Sequence, residues 1–233
     1  MTTTNETNET NETNANKSES TANTNQHVLY KETKNKIHNG KIVKYTKYEL
    51  YLASFQGCEN EHEELEFVHE LRKGKPLDEC HVVINSPGGC TDAGFLLIDT
   101  LTNSFNKRIV TEIGYHASSM GSLMFAIGDD KRIISKNSRL MMHDYSTGYW
   151  SIKASDLKSH FEFGDKHIHD LMFDLYCVQN KFLTKKEFKQ MLAGKEFWFN
   201  TEEMVKRKIC THVWDQGVLR TRKEYKKLHN IKN

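Results

Sequence analysis

The spacing of polar and apolar positions divides the chain before any single residue does. Up to about residue 28 apolar side chains are nearly absent and Asn-Glu-Thr recurs. Such a stretch buries too little surface to offset its ordering entropy, which predicts a disordered polar tail over 1–28. From Lys41 the character changes. KIVKYTKYELYLASF predicts one or two strands rich in Tyr, Val and Ile. EHEELEFVHELRKGK predicts an amphipathic helix with Leu65, Val68 and Leu71 on one face and Gly74 at its end. CHVVINSPGG reads as a buried strand running into a Pro-Gly-Gly turn. TDAGFLLIDTLTN follows as a helix that Thr91 would cap, with Asp92 near its positive end. KRIVTEIGY predicts the next strand, with a helix starting near Ser119 behind it. KRIISKNSRLMMHDY predicts two short strands about a Lys-Asn-Ser turn. Leu157, Phe161, Gly164, Ile168, Leu171, Leu175 and Val178, spaced by three and four, mark one long helix. Two more helix starts carry capping-box spacing, Thr184 with Glu187 and Asn200 with Glu203.

Buried strands alternating with helices predict a parallel α/β sheet. It occupies one domain over residues 29–215, followed by a basic C-terminal tail over 216–233 that ends RTRKEYKKLHNIKN. In such sheets sites form at the carboxyl ends of strands, and both SPGG and HASSMG fall there.

Composition narrows the classes. With 233 residues and 37% apolar content there is material for one well-packed domain. A net charge of +2 implies no strong steering toward nucleic acid. The five cysteines are scattered without a CxxC pair, which argues against a disulfide framework or zinc site and for a reducing compartment. No apolar run reaches the length of a membrane span, and the first residues lack the basic and apolar regions of a signal peptide. Asn-Glu-Thr would accept a glycan only in a secretory setting. The expectation is a cytoplasmic protein without membrane or nucleic-acid partners.

Hydrolysis of an amide by a nucleophile needs a hydroxyl at a sharp strand-to-helix turn, a base, a group orienting the base, and donors for the oxyanion. In GYHASSMGSLMFAIGD, Ser119 supplies the hydroxyl, or else its small neighbours merely let a buried helix pack closely. The Met120 amide at a helix N-terminus faces a developing oxyanion. Gly88 and Gly89 suit a second donor, because glycine lets backbone come close to a ligand. His143, ending SRLMMHD, is the candidate base, on the same face as Met141. Spacing leaves the orienting carboxylate open among Asp144, Asp165, Asp170, Glu187 and Glu196. His167 and His169, two apart on a helix, do not face one metal ion.

VVINSPGG, HASSMGSLMFAIGD and NSRLMMHD together resemble the three signature blocks of the Clp protease proteolytic subunit (ClpP), which read approximately INSPGG, AASMG and NSRxMIHQP. The likeness runs from about residue 42 to 215, with the polar tail and strand-helix lead-in closer to the shorter ClpP-like proteases of bacteriophages. It implies an α/β fold of the ClpP/crotonase-like ββα-superhelix type, with parallel sheet layers and a long handle-type helix, here about Ser155 to Lys181, that joins two rings back to back. It also implies a serine endopeptidase acting on polypeptides within a homo-oligomeric ring, heptameric in one or two layers, without metal or organic cofactor. Ser119 matches the nucleophile, His143 the general base, and Gly89 and Met120 the oxyanion donors. Gly88, Asp144 and Tyr145 fall where substrate is lined, and Ser118, Gly121 and Ser122 remain as packing residues.

Three departures from the family pattern matter. EFWFNTEEM stands for DRFLSAxEA, so Glu196 takes the place of the triad aspartate, one methylene longer. HDYS replaces HQP and only Gly148 is kept in STGYWSIK, which bears on substrate alignment and ring pairing. The helix that helps dock an AAA+ unfoldase carries Glu59, Glu61, Glu63, Glu64 and Glu66 here. Buried carboxylates are costly unless paired, so that face is expected to be solvated and the ATPase partner absent or different. Two rivals remain: a catalytically silent homologue serving as ring component or regulator, and a crotonase-type acyl-CoA enzyme sharing the fold and a two-amide oxyanion hole.

Overall fold

The structure is a computed structural model and describes residues 19–23, 27–55, 67–105, 107–146 and 153–232. Its strands are β1 (Glu19–Asn23), β2 (His27–His38), β3 (Lys41–Leu52), β4 (Glu79–Ser86), β5 (Ile109–Ser118), β6 (Lys131–Ser135), β7 (Arg139–Met142), β8 (Phe197–Asn200), β9 (His212–Asp215) and β10 (Val218–Thr221). All belong to one sheet. The helices are α1 (Thr91–Ser104), α2 (Met120–Ala126), α3 (Ala154–Phe173), α4 (Lys185–Leu192), α5 (Thr201–Arg207) and α6 (Arg222–Leu228), and α3 runs on into a π-helical segment, Asp174–Gln179.

The spine β3-β4-β5-β6-β9 is parallel. These strands carry alternating buried positions such as Leu50, Val82, Ile84, Ile109 and Ile113. At β5 the sheet forks. The first half of β5 pairs with β6 through Val110↔Lys131 to Glu112↔Ile133. Its second half pairs with β7 through His116↔Arg139 to Ser118↔Met141. Buried Ser138 holds the fork: its hydroxyl donates to the Ile113 carbonyl at 3.0 Å and accepts from the Ser135 amide at 2.8 Å. β7 then pairs antiparallel with β8. The α/β architecture expected from the sequence, with a long helix, is present, its strands forming a single mixed sheet with a parallel spine.

The long hairpin β2–β3 was not anticipated, although it turns at Asn39-Gly40 with φ of 50° and 75°. Asn-Gly in left-handed geometry is the strongest short hairpin signal, but the polar run KETKNKIH hid the strand before it. The tail expected over 1–28 lies mostly outside the described residues; of it the structure describes β1 and the first residues of β2. Glu59, Glu61, Glu63, Glu64, Leu65 and Glu66 also lie outside them. The helix expected there is present over 67–71, with Phe67, Val68 and Leu71 buried.

Residues 216–233, expected as a basic tail, are folded through 232. β9 and β10 form a hairpin turning at Gln216-Gly217, with φ of 50° and 79°. α6 follows from a capping box of Thr221 and Glu224. Lys223 and Lys227 face outward while Tyr225 enters the core, and His229 Nε2 lies 3.2 Å from Asp215 Oδ2. Composition alone hides a helix that is basic on one side only. Thr91 does not cap α1. Cys90 holds the cap position, because its amide donates to the Phe55 carbonyl at 2.8 Å and the chain turns helical one residue earlier. The long helix also departs from its stripe: Leu175 is buried, but Phe161 and Val178 are exposed. Among the described residues no helix is long and apolar enough to cross a membrane.

Candidate active site

β4 ends at Ser86 and the chain turns through Pro87-Gly88-Gly89, with φ of 107° at Gly88 and 142° at Gly89. The two glycines are required for different reasons. A Cβ on Gly88 would lie 2.6 Å from Ser119 Cβ and 3.1 Å from Ser119 Oγ. One on Gly89 would lie 1.6 Å from the Phe55 carbonyl oxygen. Phe55 and Gly89 form a parallel bridge in which the Phe55 amide donates to Gly88 at 3.0 Å and the Cys90 amide donates to Phe55 at 2.8 Å. In that pattern the amide of Gly89 itself points away from Phe55. The Ser86 hydroxyl accepts from the Gly88 amide at 3.1 Å and fixes the turn.

Ser119 sits where β5 becomes α2, at φ 54° and ψ −123°. A non-glycine residue there carries roughly 1–3 kcal/mol of strain, held only if its surroundings over-determine it. They do. The Ser119 amide donates to the Met141 carbonyl at 3.0 Å, and the Ser119 carbonyl accepts from the Ser122 amide at 2.9 Å and the Ser122 hydroxyl at 2.6 Å. Every residue of α2 is buried. Met120 packs on α1 so tightly that a Cβ on Gly94 would lie 2.2 Å from its Cγ, and Gly121 packs on the Ser86 carbonyl. The Met120 amide, in the first turn, has no acceptor inside the helix.

β7 carries His143 just past its end. The β7–β8 ladder ends at the pair Met142↔Phe197, so His143 leaves it on one side and Glu196 enters it on the other. The Glu196 side chain, however, is exposed and accepts from Trp198 Nε1 at 2.9 Å. His143 Nε2 is buried and has no hydrogen-bond partner among the described residues. The other carboxylates have partners elsewhere or face out. Asp144 Oδ1 lies 2.8 Å from His169 Nε2 and accepts from the Tyr145 amide. Asp165 accepts from the Tyr145 hydroxyl. Glu187 caps α4 and binds Arg207 at 2.7 Å, which pulls its pKa down to about 2. Asp170 is exposed on α3. His167 stacks on Phe163.

Ser119, Met120 and Gly88 are thus brought together with Gly89 next in the turn, and His143 follows the strand whose Met141 carbonyl binds Ser119. Glu196 flanks the same end of the β7–β8 ladder as His143 but its carboxylate is bonded to Trp198, while Asp144 and Tyr145 face α3. Residues 147–152 of the segment behind them lie outside the described residues. Sequence reasoning missed Tyr176, buried in the π-helical segment with its hydroxyl 2.6 Å from Ser122 Oγ. A π turn rotates the inward face off the helical stripe, so three-and-four spacing passes over it.

The sequence profile of the Clp protease family matches residues 61–216. Over 146 residues the chain is 29% identical to the ATP-dependent Clp protease proteolytic subunit 2 of Tropheryma whipplei (strain Twist), covering 61% of this chain and 77% of that protein. The forked sheet with its helices fits the fold of that family. With well over half of its 233 residues matched and the glycine turn, strained serine and histidine strand in the expected order, the chain belongs to the Clp protease family.

Proposed function

We propose that the protein is a serine endopeptidase that cleaves polypeptides through an acyl-enzyme. The observation that carries this reading is the backbone of Ser119, strained at positive φ between a buried helix N-terminus and a glycine that abuts its side chain. Ser119 Oγ attacks the scissile carbonyl as His143 Nε2 takes its proton. The tetrahedral oxyanion rests on the amides of Gly89 and Met120. His143 returns the proton to the leaving amine, then activates the water that releases the acyl group. The buried Nε2, without a partner among the described residues, fits a base whose nucleophile is not yet aligned. Glu196 orients the imidazole once its carboxylate leaves the Trp198 indole. Gly88, Asp144 and Tyr145 line the substrate strand. We place the chain in a homo-oligomeric ring; the name of the Tropheryma relative offers an ATP-dependent partner as one arrangement.

One observation favours a second reading, a catalytically silent ring component: Glu196 is bonded to Trp198 rather than to His143. Fluorophosphonate labelling with mass-spectrometric mapping separates the two. Wild type is expected to label at Ser119, Ser119→Ala to lose label and at least about 10³-fold of its casein hydrolysis, and Glu196→Ala to label far more slowly. Folded, unlabelled wild type would establish the silent component.

A further inference from the structure

Ser122 Oγ lies 2.6 Å from the Ser119 carbonyl oxygen and 2.6 Å from the Tyr176 hydroxyl. A carbonyl only accepts, so the single Ser122 hydroxyl hydrogen points at Ser119. Tyr176 must therefore donate to Ser122. Both side chains are sealed from water, with exposures of 0% for Ser122 and 1% for Tyr176, so no solvent molecule substitutes for either bond. Burial also drives the Tyr176 hydroxyl pKa upward, which keeps it a donor. Asn180, the residue that ends the π-helical segment, is also tied to α2, its side-chain amide donating to the Ala126 carbonyl at 3.0 Å. Tyr176 is thus held at a fixed height along the helix that Ser119 begins.

The Ser119 carbonyl and the Met120 amide belong to one peptide unit. Hydrogen bonds into the oxygen fix the plane of that unit and draw electron density from its nitrogen, and chained donors reinforce one another. We propose that Tyr176 and Ser122 form a positioning relay for the oxyanion hole, in which Tyr176 O–H to Ser122 O–H to the Ser119 carbonyl aligns and polarises the Met120 N–H. Neither side chain touches substrate. The relay acts when negative charge develops on the substrate oxygen, so it lowers the barrier to the tetrahedral intermediate without changing how substrate is held.

This inference rests on Ser119 being the nucleophile and Met120 an oxyanion donor, and the experiment separates the two claims. Full-length wild type, Tyr176→Phe, Ser122→Ala and the double variant are compared by fluorophosphonate labelling, resolved into a limiting rate and a half-saturation concentration, and by kcat and KM on fluorescein-labelled casein. Removing one oxyanion donor costs roughly 10²–10³-fold, so weakening one through a relay is expected to cost about 5- to 20-fold. Tyr176→Phe should lose that factor in limiting label rate and kcat, with KM and half-saturation within about twofold. Because Tyr176 acts only through Ser122, the double variant should be no slower than Ser122→Ala. A general loss of packing would instead multiply the two effects and shift KM with kcat, which would overturn the relay. So would a Tyr176→Phe protein indistinguishable from wild type while wild type labels at Ser119. Wild type that fails to label at all removes the nucleophile and the relay with it. Should Tyr176→Phe not accumulate as folded protein, the rate-against-affinity split of Ser122→Ala decides the matter alone.

Discussion

Gly89 is the residue on which the local geometry turns. A methyl group there would lie 1.6 Å from a backbone oxygen rather than from a side chain that could swing aside, and φ of 142° is foreign to L-residues. Gly89→Ala is expected to lose about 3 kcal/mol or more in denaturant unfolding and to abolish probe labelling, because the Phe55 bridge must open. Gly164, on α3 with open space around it, is the control. Gly164→Ala should raise helix stability by up to about 1 kcal/mol and leave labelling intact. Ser119, Gly88 and Gly89 were legible in the sequence, since small residues ending buried strands leave a strong trace. Ser122 was read as packing and Tyr176 not at all, because two hydroxyls 54 residues apart meet only through tertiary structure. The conformation of Glu196 was not legible: it stands next to the β7–β8 ladder, but its carboxylate is bonded to Trp198.

Among the elements, capping boxes were the most readable feature. Thr184 with Glu187 and Asn200 with Glu203 both form reciprocal bonds. Thr221 with Glu224 does the same, in a stretch whose basic composition drew attention first. Glu187 does more than cap α4, since Arg207 from α5 binds the same carboxylate. Its folded pKa of about 2 lies below the ordinary 4.5. The stabilisation is therefore complete above about pH 5 and fades as pH falls through 4.5 toward 2. Half-exposed Arg207 reduces the gain to about 1 kcal/mol. Glu187→Gln is expected to be less stable than wild type by that amount at pH 7, with the gap closing by pH 2–3 in urea titrations. A gap unchanged across that range would mean that the carboxylate contributes nothing through its charge.

Across the whole molecule, the sheet runs from β1 at one edge to β10 at the other, and the final helix closes it. Alternation and turn residues made the parallel spine legible. They did not reveal where domain ended and tail began, since a helix presenting only one aromatic to the core looks like solvated sequence. Tyr225, 6% exposed, tests that boundary. Tyr225→Ala is expected to cost about 3 kcal/mol, and a chain stopped after Thr221 to melt well below the intact one. Equal melting would restore the reading of 216–233 as a solvated basic tail.

The β7–β8 ladder has a consequence for synthesis. His143 and Glu196 flank the same end of paired strands, but α3, the π-helical segment and α4 lie between them in the chain. Pairing so distant in sequence closes a large loop before any contact rewards it, which places it late in folding. On the proposed mechanism, a nascent chain holds Ser119 well before the ladder that brings His143 and Glu196 to one end of the sheet has formed. On that mechanism, unfinished and unravelling copies lack an assembled site and spare the proteins around them.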